Sequence, residues 1–105
     1  MGWTISHGTD RNNEIDCSYT TISNLAKAVA DVLPGRDWRI LAPVLNESSG
    51  DGRFSVPAAE AGRIATLLRK AARHRRMPQN WGGLARELAD AADRAANARQ
   101  PWEWR

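Results

Sequence analysis

The sequence has a single cysteine, Cys17, among its 105 residues. One cysteine excludes a disulfide framework within the chain, and this scarcity is typical of a reducing compartment. Long apolar runs are also absent, since no stretch approaches the ~20 residues that a membrane-spanning helix needs. The first residues lack the basic segment followed by an apolar one that marks a signal peptide. We therefore expect a cytoplasmic protein that does not bind membranes.

Catalytic and metal-binding motifs are also missing. The residues with metal-ligand side chains that we considered are His7, Asp10, Cys17 and His74, and their spacing matches no zinc or iron pattern. Gly50 and Gly52 lack the lysine and the following helix of a phosphate-binding loop. Asp16 precedes Cys17, and its negative charge would raise the pKa of the thiol and make it less reactive. The sequence thus predicts a protein that is not an enzyme and holds no cofactor or metal.

The composition is that of a globular chain. Hydrophobic residues make up 42% and charged residues 26%, which excludes a disordered protein. The length predicts one domain, residues 1–105, with a modest core. The formal net charge of +3 is a weak argument for nucleic-acid binding. Thirteen of the fifteen basic residues are arginine, which indicates a codon bias and lowers the weight of each one.

Two short segments, residues 3–6 and residues 54–56, alternate apolar and polar side chains as strands do. We expect these two strands to pair with each other. Residues 6–16 are polar and contain Gly8, Asn12 and Asn13, which predicts a loop. Residues 46–52 are predicted to form a flexible loop for the same reason.

Helical periodicity dominates the rest of the chain. The spacing predicts helices over residues 19–33, 57–76 and 78–99, with the last two forming a hairpin. Ser18 or Thr20 can cap the first helix. Residues 36–45 are ambiguous: we favour helix, as two short turns because of Pro43, and the competing interpretation is a strand paired with residues 54–56. The predicted fold is α+β and mostly α, with three to four amphipathic helices and a minimal sheet of two strands, three strands being the alternative.

The predicted core combines the apolar faces of these elements. It consists of Ile5, Ile22, Leu25, Val29, Trp38, Leu41, Val56, Ile64, Leu67, Leu68, Trp81, Leu84 and Leu88. At the end of the chain, Trp102 and Trp104 are two residues apart and would point to the same side of an extended segment. We expect them to pack on the core near Trp3, the alternative being an exposed docking tail.

One cluster of basic residues is a candidate binding surface. Six basic residues and no acidic one lie between Arg63 and Arg76. The residues predicted to share one side of the helix and to bind a partner are Arg69, Lys70, Arg73 and Arg76. A solvated helix end rich in arginine is the plain interpretation. The functional one is an acidic protein surface as the partner, with non-specific nucleic-acid binding as the alternative.

Acidic residues on the last helix decide between these two partners. Asp90 and Asp93 are predicted to be surface charges there, and they would repel a nucleic-acid backbone that extended beyond the arginines. The sequence therefore favours a protein partner for the basic surface.

Three segments carry a family resemblance: residues 3–8 (WTISHG), 56–61 (VPAAEA) and 101–104 (PWEW). In these the chain resembles small uncharacterised proteins of actinobacterial chromosomes, plasmids and phages. The resemblance implies a bacterial cytoplasmic protein of unknown function and supplies no catalytic residues. Proteins of this size on mobile elements are often inhibitors, immunity factors or small regulators, and by analogy we expect a role of that kind.

Overall fold

The computed structural model describes residues 2–7, 10–45 and 54–105, with only the backbone at residues 10–13. Along the described chain the elements are β1 (Gly2–His7), β2 (Asp10–Ser18), α1 (Tyr19–Val32), α2 (Gly35–Leu45), β3 (Phe54–Val56), α3 (Ala58–Ala72), α4 (Gln79–Asn97) and β4 (Trp102–Trp104). The fold is α+β and mostly α, as predicted. The predicted loop over residues 46–52 lies outside the described residues.

The four strands form one antiparallel sheet in the order β2-β1-β4-β3. The predicted strands at residues 3–6 and 54–56 both exist, but the prediction that they pair directly is wrong. β4 lies between them, with Trp104 opposite Ile5 on one side and opposite Phe54 on the other. The predicted sheet of two or three strands was therefore too small, because the C-terminal segment enters it at a central position.

β2 corrects the predicted loop over residues 6–16. This strand lies at an edge of the sheet, and its Ile15 and Cys17 pair with Ile5 and Trp3 of β1. Along the described side chains of β2, these apolar residues alternate with exposed polar ones, among them Asp16, whose carboxylate accepts a hydrogen bond from Thr4 at 3.0 Å. Two apolar residues give only a weak alternation signal, so the polar side of the strand resembles a loop in sequence.

The helices begin and end close to the predicted positions. α1 begins after Ser18, whose hydroxyl accepts a hydrogen bond from the backbone N–H of Thr21 at 3.0 Å and caps the helix. Residues 35–45 form one helix, α2, so the favoured helix is confirmed and the competing strand is wrong. The helix is not divided at Pro43, because this residue lies in the last turn and removes only one terminal hydrogen bond.

The hairpin of α3 and α4 is confirmed, with a longer turn than the sequence predicted. The turn covers residues 73–78, and the side chain of Met77 is buried beneath it. Gly82 lies in the first turns of α4, where an added Cβ would come within 3.4 Å of the carbonyl oxygen of Ala72. Buried alanines on both helices, including Ala65 and Ala92, allow the same close approach along the hairpin.

Tryptophans fill the interface between the sheet and the helices. Trp102 and Trp104 are fully buried, which confirms that they pack on the core rather than form an exposed tail. The ring centroid of Trp3 lies 5.8 Å from that of Trp104 and 5.3 Å from those of Tyr19 and Phe54, in edge-on geometry. Edge-on pairs of this kind are favourable for aromatic rings beyond the area that they bury.

Most of the predicted core is buried, with four exceptions. Trp38, Leu67, Trp81 and Leu84 are only partly buried at the margin of the core. Their helices present a wider apolar face than the neighbouring elements cover. No helix in the described part of the chain is long and apolar enough to cross a membrane.

Candidate basic binding site

The four basic residues predicted to bind a partner do not act as one surface. Arg69 lies on α3, and its guanidinium donates hydrogen bonds to Asp93 and to Asp90 of α4, the latter at 2.5 Å. Both hydrogen bonds raise the pKa of Arg69 above its usual value, and the bond to Asp93 contributes more than the bond to Asp90. Asp90 and Asp93 are thus not merely solvated surface charges, because they hold Arg69 across the hairpin.

Lys70 is also engaged within the protein. Its ammonium group donates a hydrogen bond to Asp37 of α2 at 2.7 Å, and the Asp37 side chain is 15% exposed. This ion pair links the beginning of α2 to the end of α3. Arg69 and Lys70 therefore orient helices, although partly exposed ion pairs of this kind contribute little stability.

Arg73 and Arg76 remain exposed, together with Arg75. We call residues 73–76 the basic turn. In the described part of the chain, none of these three arginines forms an ion pair. The turn itself is ordered by hydrogen bonds, since His74 Nδ1 accepts one from the backbone N–H of Arg76 at 3.1 Å and its carbonyl accepts one from Met77 at 3.0 Å. Three cations are thus presented to solvent on a defined backbone.

A groove of about 380 Å³ runs between α1 and the basic turn. It is lined by Asn24, Lys27, Ala28, Asp31, Val32, Arg76, Pro78 and Trp81. Lys27 faces the groove from α1 and Arg76 from the turn, while the partly buried Trp81 forms an aromatic wall. The arrangement can bind a carboxylate or another anion beside an apolar group.

Sequence reasoning missed both the ion pairs and the groove. In an antiparallel hairpin, residues at similar distances from the turn face each other. Asp90 and Asp93 are much farther from the turn along the chain than Arg69 is, so this rule does not predict their ion pairs. The groove has no sequence signal either, because Lys27 and Arg76 come from distant parts of the chain. The amphipathic pattern of α4 assigned Trp81 to the core.

Cys17 lies beside a second cleft of about 350 Å³, which Gly2, Thr4 and Asp16 also line. Burial raises the pKa of the Cys17 thiol, and the negative charges of Glu87 and Asp16 raise it further. The thiol is therefore protonated at neutral pH, as predicted from Asp16, and is a poor nucleophile.

Two other candidate residues for chemistry, His7 and Asp10, are opposite each other in the β1–β2 pair. His7 is buried on β1 and the backbone of Asp10 lies opposite it, but the Asp10 side chain lies outside the described residues. Among the described residues, no three His, Cys, Asp or Glu side chains are grouped so that they could hold a metal ion.

The comparisons with known proteins identify a family. The model of a family described as a domain of unknown function (DUF7739) matches residues 8–105. The chain belongs to this family. The DUF7739 match covers every described element except β1, and it confirms the family of unknown function that the resemblance implied. No curated protein matches the chain, and no solved structure matches it.

Proposed function

We propose that this protein is a small non-enzymatic binding module, of the inhibitor, immunity or regulatory type. Its basic turn, with Arg73 and Arg76 as the principal contacts, binds an acidic surface on a partner protein. A cytoplasmic location and an actinobacterial origin, on a chromosome, plasmid or phage, belong to the same proposal.

The contrast between paired and unpaired cations carries this proposal. Arg69 and Lys70 are bound to aspartates of the same chain, whereas Arg73 and Arg76 are exposed and, within the described residues, have no acidic partner. Arginine presents a planar group that binds carboxylates through two hydrogen bonds. Exposed charges on an ordered turn favour fast and selective association with a surface of opposite charge.

The alternative function is non-specific nucleic-acid binding through the same residues. The extent of the positive surface argues against it, because Arg69 is bound to two carboxylates of the same chain and is not available to a phosphate. Proteins that bind DNA through its backbone typically contact about 6–10 phosphates. The basic turn and Lys27 offer four cations, which is a better match to a compact acidic patch on a protein.

The test is to capture the partner from extracts of the native host with the wild-type chain. Nuclease treatment controls for bridging nucleic acid, and mass spectrometry identifies the captured protein. Arg73→Glu/Arg76→Glu should then lower the affinity for the purified partner at least tenfold by calorimetry. Arg63→Glu/Arg86→Glu is the matched control, since it changes the same charge at exposed positions outside the turn and should bind as the wild type does.

Salt dependence separates the two functions. Phosphate binding would weaken with a log–log slope of about −0.9 per neutralised phosphate on duplex DNA. A protein interface with an apolar centre should weaken less. Unchanged partner affinity in Arg73→Glu/Arg76→Glu would refute the protein-binding function, and steep salt-dependent DNA binding lost in that variant would establish the alternative.

A further inference from the structure

The groove between α1 and the basic turn has apolar lining residues that the proposed function does not use. We propose that it receives an apolar side chain from an acidic segment of the partner, with Trp81 as its wall and with Lys27 and Arg76 binding the flanking carboxylates. The identity of the occupant as a protein rests on the proposed function. The role of the groove rests on its own geometry.

The size of the groove suits a side chain. Its volume of about 380 Å³ falls near the lower end of the ~300–1,000 Å³ that binding clefts typically have. Such a volume holds one large side chain and part of its backbone, but it does not accommodate a nucleic-acid duplex. With a protein as the partner, as proposed above, the occupant is a short peptide segment that inserts one residue.

The walls of the groove are apolar where the side chain would lie. Trp81 at the beginning of α4 is only partly buried although its neighbours Ala85 and Leu88 are fully buried. Ala28 and Val32 of α1 are likewise only partly buried and also line the groove. Tryptophan and arginine, which both line this groove, are among the residue types most enriched at the dominant contacts of protein interfaces. An aliphatic side chain between these walls would complete their burial.

The charges of the groove determine which residues of the partner can flank the inserted side chain. Lys27 and Arg76 supply two cations to the groove and Asp31 supplies one anion, so the lining has a net positive charge. In the part of the chain that the structure describes, neither cation forms an ion pair. Carboxylates of the occupant would neutralise both. Asp31 lies one helical turn from Lys27, and its negative charge would repel an acidic residue at that end of the groove. This repulsion would favour one orientation of the bound segment over the reverse.

The inference is tested by titrating the full-length protein, labelled with ¹⁵N, with peptides observed by NMR. The first probe is a nine-residue peptide with a central leucine flanked by glutamates, and the second has serine in place of leucine. The leucine peptide should bind about tenfold more tightly, because it buries an apolar side chain. Its binding should shift the indole N–H signal of Trp81 and leave those of the buried Trp102 and Trp104 in place.

Two variants and a control make this result specific. Trp81→Ala should remove the preference for leucine over serine, whereas Trp38→Ala, at another partly buried tryptophan, should preserve it. Lys27→Glu changes an exposed residue, leaves the core intact, and should weaken both peptides at least fivefold.

The outcomes distinguish failure of the inference from failure of the proposed function. Equal affinity for the two peptides, with binding still lost in Arg73→Glu/Arg76→Glu, would overturn the role of the groove and leave the basic turn as the binding site. Absence of binding by either peptide at millimolar concentration would overturn the role of the groove, whereas the proposed function would still be tested by the affinity of the captured partner. Displacement of the leucine peptide by a thymidine octanucleotide at equal concentration would overturn both, in favour of nucleic acid.

Discussion

Cys17 shows how its surroundings determine the chemistry of a single side chain. The thiol is partly buried on β2, and burial is the main cause of its raised pKa. The charges of Glu87 on α4 and of the adjacent Asp16 act in the same direction, because both disfavour a thiolate. A residue in this environment contributes apolar volume to the sheet rather than reactivity.

The raised pKa predicts slow alkylation of Cys17. Iodoacetamide reacts with the thiolate, so the modification rate at pH 8 should be lower than that of an unfolded control and should rise only at more alkaline pH. Glu87→Gln removes one cause and should shift the rate profile to lower pH, while Glu60→Gln on α3, which is not among the causes of the raised pKa, should not.

The same shift predicts a loss of stability at alkaline pH. Because the pKa of Cys17 is raised in the folded state, the thiol loses its proton at a lower pH in the unfolded chain than in the folded one. The protonated thiol therefore stabilises the folded state fully below the unfolded pKa, and this stabilisation declines as the pH rises above that value.

For the alkylation experiment, a wild-type rate equal to that of the unfolded chain at pH 8 would contradict the effect of burial.

At the scale of elements, the sequence predicted helices better than strands. α1, α3 and α4 each carry an apolar face with a period of 3.6 and clear boundaries, and these signals are local. β2 and β4 were missed because their pairing is not local. The alternation of Trp102 and Trp104 predicted that they share a side of an extended segment, but not that this segment forms the strand between β1 and β3.

The end of α4 offers a test at this scale. Arg99 has a positive φ of 56° in the turn that directs the chain into β4. Its N–H donates to the carbonyl of Ala96 at 3.1 Å, and that of Gln100 donates to Ala95 at 3.0 Å, which is the arrangement that usually contains glycine. A side chain in this left-handed conformation costs about 1–2 kcal/mol.

Arg99→Gly should therefore stabilise the protein. Glycine relieves that strain but adds flexibility to the unfolded chain, so we expect a net gain of about 0.5–1 kcal/mol in the free energy of unfolding, measured with urea. Ala98→Gly is the matched control, because residue 98 has a helical φ of −81°, and it should destabilise by about 0.5–1 kcal/mol. Destabilisation by both variants would contradict the strain at Arg99.

At the scale of the whole molecule, the candidate site was predicted only in part. The exposure of Arg73 and Arg76 was predicted from a helix pattern that placed them away from the apolar face, although both lie in the turn after α3. Arg69 and Lys70 are not free to bind a partner, because they form ion pairs with aspartates on other helices. These ion pairs depend on how α2, α3 and α4 pack together. The groove depends on α1 and the basic turn coming together, and a periodicity read along one helix cannot show that.

The position of β4 joins the two ends of the described chain. Thr4 and Arg105 exchange backbone hydrogen bonds of 2.8 and 2.9 Å, and the Arg105 guanidinium donates one to Ser6, 99 residues away in sequence. β4 is the only neighbour that the described part of β3 has in the sheet, and it contributes two fully buried tryptophans. The sheet and the aromatic core are therefore completed by β4, which is distant in sequence from β1 and β3.

Removal of residues 101–105 should accordingly abolish cooperative folding. Without β4 the β1–β2 pair is separated from β3, and truncation of even one buried tryptophan typically costs about 3–5 kcal/mol, a large part of the stability of a small domain. We expect the truncated chain to lose its near-ultraviolet circular dichroism and its cooperative thermal transition, with helical signal partly retained by the α3–α4 hairpin. Glu103→Gln, which changes one partly exposed side chain of the same strand, should unfold as the wild type does. A truncated chain with a cooperative transition within a few degrees of the wild-type Tm would show that the helices fold without the completed sheet.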